Sequence, residues 1–298
     1  MTKKEFLLEE YSRFQEEYIA KRMEFYKHPS IARYAPFQIA DGLYYVGDSK
    51  VCIHLIDTGD GLILIDSGYL GTEHLLVDSI WRAGFDPADI KIILHTHGHS
   101  DHFGASGEFK RMYGCKLAIS KVDAEFLKTV SLNKTLYPLA TVPEFDMEIE
   151  DGDIISLGNV NIRCVLSPGH TEGVLSLFFD VTYEGKRYTA GMFGGIGTNA
   201  LTLKHIYKNG YTEALPHTML KTIEMLRGES VDIHLGNHPS NNRTLEKRAK
   251  QLAEGGNPFI DKTSFGTMLD SLEKTVRGII AENDKLSAEL DSRFGETK

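Results

Sequence analysis

Apolar positions recur in two different rhythms along this chain. Between residues 5 and 27, Leu7, Tyr11, Phe14, Tyr18 and Phe25 fall at near-helical spacing with Glu and Lys between them, which predicts an amphipathic helix. From residue 42 the rhythm shortens to β-rich runs at Leu43–Val46, Val51–Asp57 and Leu62–Asp66, with the hairpin turn signal Asp60-Gly61 between the last two. A helix is expected over Glu73–Arg82, closed by Gly84. Asp86-Pro87 then reads as an N-cap with proline at the first helical position. The strand Ile90–His95 follows, then a helix over Gly104–Tyr113 ended by Gly114, and a strand over Lys116–Ser120.

The alternation of sheet and helix then repeats. Strands are expected at Ile154–Leu157, Val160–Leu166, Leu175–Asp180 and Arg187–Ala190, a helix over 212–226, a strand over 231–235, and helices over Ser240–Ala253 and Thr263–Glu289. The stretches 129–147 and 191–204 lack periodicity and read as long loops bordering a site. No Ser- or Pro-rich linker interrupts the chain, so we expect a helical extension over 1–34 and a single α/β domain over 35–298. The N-terminal helix is expected to pack on its own domain, with a homo-oligomer contact as the alternative.

Composition narrows the function classes. Hydrophobic residues make up 41% and charged residues 25% of the 298, as in ordinary folded proteins. The net charge of -9 has the wrong sign for a phosphate-backbone binder, so no nucleic acid partner is expected. No run of 18 apolar residues suggests a membrane span, and the start Met1-Thr2-Lys3-Lys4-Glu5 lacks the apolar core of a secretory signal. A cytoplasmic protein acting on a small molecule is the expectation. Cys52, Cys115 and Cys164 lie in or beside apolar runs and read as buried thiols.

One departure from average carries the chemistry: of twelve histidines, four fall between His95 and His102. The segment Ile92-Ile93-Leu94-His95-Thr96-His97-Gly98-His99-Ser100-Asp101-His102 sets a buried strand directly before His-x-His-x-Asp-His. Alternate residues at a strand end point the same way, so His97 and His99 can share one metal. A turn at Ser100 redirects Asp101 and His102 toward a neighbouring point, and Gly104 suits such a bend. Leaving this many imidazoles beside a carboxylate without a metal would be costly to desolvate. Two metals need further ligands from distant segments. His170, in Ser167-Pro168-Gly169-His170-Thr171, and His238, in Leu235-Gly236-Asn237-His238-Pro239, both follow apolar strands. A nitrogen-rich donor set favours zinc, with iron or manganese as alternatives. His95 is assigned a supporting or packing role, and His28, His54, His74, His205, His217 and His234 have no ligand-like spacing. Tyr137, Phe193 and Asn241 are candidates for lining the pocket because they fall in expected loops.

On these residues the chain resembles the metallo-β-lactamase fold superfamily from about residue 35 to the C-terminus. The resemblance implies an α/β fold, a four-layer αββα sandwich, here with an added N-terminal helix. It implies a first zinc on His97, His99 and His170, and a second on Asp101, His102 and His238. Ile65-Asp66-Ser67-Gly68 is similar to the family's Asp-containing turn, whose carboxylate supports the metal loop. Most branches carry a bridging Asp where this chain has Gly191-Met192, and methionine cannot supply that oxygen. That points to the third subclass of metallo-β-lactamases, as does the tail Gly256-Asn257-Pro258-Phe259-Ile260-Asp261. Where that subclass places serines to grip the substrate carboxylate, this chain has Phe193, Gly194 and Gly195.

The expected activity is therefore a dinuclear zinc hydrolase whose metal-bridging hydroxide, oriented by Asp101 as the catalytic carboxylate, opens an amide or ester bond. β-Lactam ring opening leads; lactones, thioesters and phosphoesters are alternatives, and a non-catalytic metal-binding module ranks below them. A redox diiron protein would carry Glu in place of His99 and a flavin domain, and a ribonuclease would carry a basic inserted domain.

Overall fold

The computed structural model describes residues 1–130 and 141–295. Its helices are α1 (Lys3–Lys27), α2 (Glu73–Arg82), α3 (Ser100–Phe103), α4 (Ser106–Tyr113), α5 (Lys121–Val130), α6 (Leu203–Asn209), α7 (Leu215–Leu226), α8 (Pro239–Asn242), α9 (Thr244–Glu254) and α10 (Ser264–Phe294). A first sheet orders β1 (Phe37–Ala40), β2 (Leu43–Tyr45), β3 (His54–Asp57), β4 (Leu62–Ile65), β5 (Ile90–Leu94), β6 (Lys116–Ser120) and β7 (Met147–Ile149) as they occur in the chain. It is antiparallel from β1 to β4 and parallel from β4 to β7. A second sheet holds β8 (Ile154–Leu157), β9 (Val160–Leu166), β10 (Leu175–Tyr183), β11 (Lys186–Met192) and β12 (Ile233–His234). There, only β12 runs parallel to its neighbour, β11.

Side-chain alternation explains the layers. In β4, Ile63 and Ile65 face the second sheet while Leu62 and Leu64 face outward, so the strand is apolar throughout because both faces are covered. The sheets meet over Leu43, Tyr45 and Leu94 from one side and Ile162, Leu177 and Phe179 from the other. The outer face of the first sheet is sealed by Leu76 and Ile80 of α2 and Phe109 of α4. The outer face of the second is sealed by Met219 and Ile223 of α7 and by Phe265, Leu269 and Val276 of α10. The result is the expected αββα sandwich.

Helix α1 begins with a capping box, Thr2 accepting from the Glu5 amide while the Glu5 carboxylate accepts from Thr2. It packs on its own chain: Leu7 joins Leu203 of α6 and Leu290 of α10. The buried Tyr11 ring stands edge-on to His205 at 5.1 Å, and Lys3 Nζ pairs with Asp291 at 2.9 Å. Among the described residues, no helix is long and apolar enough to cross a membrane. All three cysteines are buried, and burial pushes the Cys52 and Cys164 thiols up to about 12 and Cys115 up to about 11.

Several elements depart from the sequence reading. Strands β1 and β7 and helices α5 and α6 were not anticipated; α6 begins in the last two residues of the expected 191–204 loop and runs on to Asn209. Part of the expected 129–147 loop, including Tyr137, lies outside the described residues. The expected helix over Gly104–Tyr113 begins two residues late, as α4, and the short α3 forms where a turn was expected. Gly104 caps α3 with ordinary right-handed dihedrals (φ −57°, ψ −37°), so the turn there does not call on glycine's conformational freedom. A Cβ there would sit 2.1 Å from the Leu70 nitrogen, so glycine is needed for close backbone approach. The expected helix over Ser240–Ala253 is broken into α8 and α9 by Arg243, at φ 60° and ψ 44°.

Candidate metal centre

Every predicted donor lies just beyond the carboxyl end of a strand: His97 to His102 after β5, His170 after β9 and His238 after β12. The fold brings them into two adjoining sets, His97 with His99 and His170, and Asp101 with His102 and His238. Within each set the ligating atoms lie within 4.8 Å of one another. His97 Nε2 and His99 Nδ1 are 3.1 Å apart, close to the roughly 3.3 Å separation that two nitrogens on a tetrahedral zinc would have. In the second set, Asp101 Oδ1 is 3.9 Å from His102 Nε2 and Asp101 Oδ2 is 3.7 Å from His238 Nε2. The His97 and His102 rings, one from each set, are 4.2 Å apart.

Hydrogen bonds to the remaining ring nitrogens set the tautomers. Nδ1–H of His97 donates to the Gly194 carbonyl at 2.8 Å, that of His170 to Gly197 at 2.6 Å, and that of His238 to Lys50 at 2.8 Å. His102 donates from Nδ1 to Asp66 Oδ2 at 2.8 Å. These bonds aim Nε2 of all four rings into the centre, as outer partners of metal-bound histidines do. Burial first, and repulsion from neighbouring imidazoles second, hold His97 and His170 well below the ordinary histidine value; burial and His102 lower His238. Neutral rings are the form a metal binds. This donor chemistry fits zinc.

Two buried carboxylates fix the loops that carry the rings. Asp66, at φ 61°, accepts from the Thr96 amide and from Thr96 Oγ1, each at 2.8 Å, in addition to His102. Its supporting role agrees with the sequence reading. Asp123 was not foreseen. Its Oδ2 accepts from the Gly98 amide at 2.6 Å and Thr171 Oγ1 at 2.8 Å, and its Oδ1 accepts from the Gly173 amide at 3.1 Å. One side chain thereby ties the loop of His97 and His99 to the loop of His170. Burial pushes its carboxyl up to about 6, opposed by these three bonds. A Cβ on Gly173 would lie 2.5 Å from Asp123 Oδ1, so only glycine lets that amide approach. The signal available in the sequence was a carboxylate in helical register with the apolar Leu127.

The other candidates sort as follows. His95 packs and supports, with Nδ1 against the Ala118 carbonyl at 2.8 Å and Nε2 against Ser106 Oγ at 2.6 Å. Asn241 accepts from the His238 amide at 3.0 Å and lines a cleft of about 960 Å³ that opens beside His238. Phe193 does not line it. Its ring is buried with Phe178, Met219 and Phe265 in the core under α7 and α10, because apolar area is better satisfied there than at a polar mouth. Met192 is buried between the sheets.

Residues 47–182 match the metallo-beta-lactamase superfamily model. A metallo-beta-lactamase from Elizabethkingia meningoseptica is 30% identical at a TM-score of 0.72, over 84% of this chain and 94% of that one. The chain belongs to the metallo-β-lactamase superfamily. A subclass B3 metallo-beta-lactamase of Bradyrhizobium japonicum aligns at a TM-score of 0.77 and 27% identity, over 87% of this chain and 97% of that one. A hydroxyacylglutathione hydrolase from Chelativorans is 26% identical over 43% of each chain. The curated relatives that head the comparison are matched over about a third to two thirds of their own length. B3 enzymes are among the chain's structural neighbours and hydrolases among its curated relatives.

Proposed function

We propose that this superfamily member is a dinuclear zinc hydrolase, with His97, His99 and His170 holding one ion and Asp101, His102 and His238 the other. The observation that carries this reading is the pair of adjoining donor sets, each oriented by its own outer hydrogen bonds. When bound, paired zinc ions would lower the pKa of water to about 7 and polarise a carbonyl.

The chain's own groups do the rest. Gly194, Gly197 and Lys50 carbonyls hold three rings in one tautomer, so no ring must turn during reaction. Asp101, part-exposed at the mouth of the set, accepts a hydrogen bond from the attacking water and aims it. The cleft beside His238 receives the body of the substrate.

β-Lactam amides are the leading substrate class, supported by the likeness to lactamases along nearly their whole length. Hydrolysis of lactones or thioesters is a second reading, favoured by one feature: Phe193 is buried and Gly194 and Gly195 present no hydroxyl where a lactam carboxylate would be gripped. The test is zinc-loaded protein, with two ions per chain verified, assayed against a chromogenic cephalosporin, a lactone, S-lactoylglutathione and a phosphodiester. Turnover of at least one substrate, abolished by His97→Ala and Asp101→Ala, is expected. Inertness toward all four at full occupancy overturns the hydrolase reading.

A further inference from the structure

The missing serines pose a steric question. On this backbone a Cβ at Gly194 would lie 2.0 Å from the Leu175 carbonyl oxygen, and one at Gly195 would lie 2.8 Å from Val174 and 3.1 Å from the His170 Cβ. A side chain at Gly194 would have to displace the Leu175 backbone, and one at Gly195 would have to displace the Val174 side chain and press on the His170 ring. Any group that recognises a charged substrate must therefore come from another wall.

The cleft beside His238 has such a wall. It runs from Ile196 and Asn241 between α8–α9 and α10, and its cations are Arg243, Lys247 and Lys250. Lys250 reaches Glu254 at 3.8 Å. Lys247 is half-buried against Ser264 Oγ at 3.3 Å, near the Asp261 carboxylate. Arg243 differs: its guanidinium makes no hydrogen bond or ion pair among the described residues. Its backbone also stands in the left-handed region, where an L side chain is strained and glycine or asparagine would be the unstrained choice. Strain of this kind concentrates where a side chain serves a ligand. Across the cleft, the nearly buried Met268 and Leu272 of α10 form the apolar part of the wall.

We infer that Arg243 is the anchor for a carboxylate carried by the substrate's distal end, with the apolar part of that substrate lying against α10. The planar guanidinium fork matches a carboxylate in two parallel hydrogen bonds. A monoanion is favoured over a phosphate dianion because Glu246 and Asp261 line the same cleft and repel a second negative charge. This deepens the hydrolase reading and rests on it: the substrate is an apolar monocarboxylate whose scissile bond sits at the metals while its charge sits at Arg243.

The test uses zinc-loaded protein and titration calorimetry with 4-phenylbutyrate and its neutral amide, 4-phenylbutyramide. Arg243→Met is expected to weaken the acid at least tenfold while leaving the amide within twofold. An unchanged Kd for the acid, the behaviour of a carboxylate held by metal alone, overturns the inference. Arg243→Gly is expected to lose the same affinity with a melting midpoint equal to or above that of the parent. A lowered midpoint would mean that Arg243 serves the fold, and overturns it too. Binding is read without turnover, so a protein inert to every substrate but dependent on Arg243 for the acid would sink the hydrolase reading alone.

Discussion

Asp66 and Asp123 each accept three hydrogen bonds within the buried floor of the centre, and neither belongs to the donor sets. Asp66→Asn keeps the shape but has one acceptor oxygen in place of two, so it cannot serve the Thr96 amide at one end and Thr96 Oγ1 with the His102 ring at the other. It is expected to lower zinc affinity at the second position about 10- to 100-fold, the usual cost of losing an outer partner, measured by competition with a chromophoric chelator. Asp123→Asn should instead weaken the first position and cost about 2 kcal/mol of stability by stranding a buried donor, read from urea unfolding. The six clustered side chains were legible because a ligand-like motif fixes residue type and local spacing together. Asp123 was not, since a side chain that touches only backbone amides and a hydroxyl leaves no pattern of partners in the sequence.

At the scale of elements, periodicity located those with a continuous apolar face and missed those without. Strand β7 is three residues long and β1 four, yet β2, also three, was anticipated; β7 was lost because it adjoins the 129–147 stretch, which lacks periodicity. The break at Arg243 was invisible because one left-handed residue leaves the 3.6-residue rhythm on both sides nearly intact. Phe193 was misplaced by loop position alone, when its size favoured burial. Helix α1 was legible as amphipathic, and the burial of Leu7 and Tyr11 shows where its face goes. Leu7→Ala is accordingly expected to cost about 3 kcal/mol in urea unfolding with zinc stoichiometry unchanged. An unchanged midpoint would mean that α1 contributes no packing energy.

For the whole molecule, metal and protons act on the same folding equilibrium. Each zinc at a thousandfold excess over its Kd would add about 4 kcal/mol, so chelating both should lower the melting midpoint by on the order of 10 °C in scanning calorimetry. In the chelated protein, burial depresses His205 to about 4 and His234 to about 3, from an ordinary 6.5. The unfolded chain therefore binds protons that the folded chain refuses, and stability falls as pH drops from 6.5 toward 4. Asp123, raised to about 6, acts in the opposite sense between pH 4 and 6. Two histidines displaced by more than two units outweigh one carboxyl displaced by about two, so melts from pH 8 to 5 should show a net decline.

The Asp123 tie has a further consequence for biogenesis. It joins a turn that follows the first sheet's β5 to a turn that follows the second sheet's β9, and the donors themselves span residues 97 to 238. A nascent chain emerging from the ribosome presents His97, His99, Asp101 and His102 long before His170 and His238 exist to close around an ion. A complete donor set would thus close around a cation only after the two halves dock, and long-range pairing of this kind is slow.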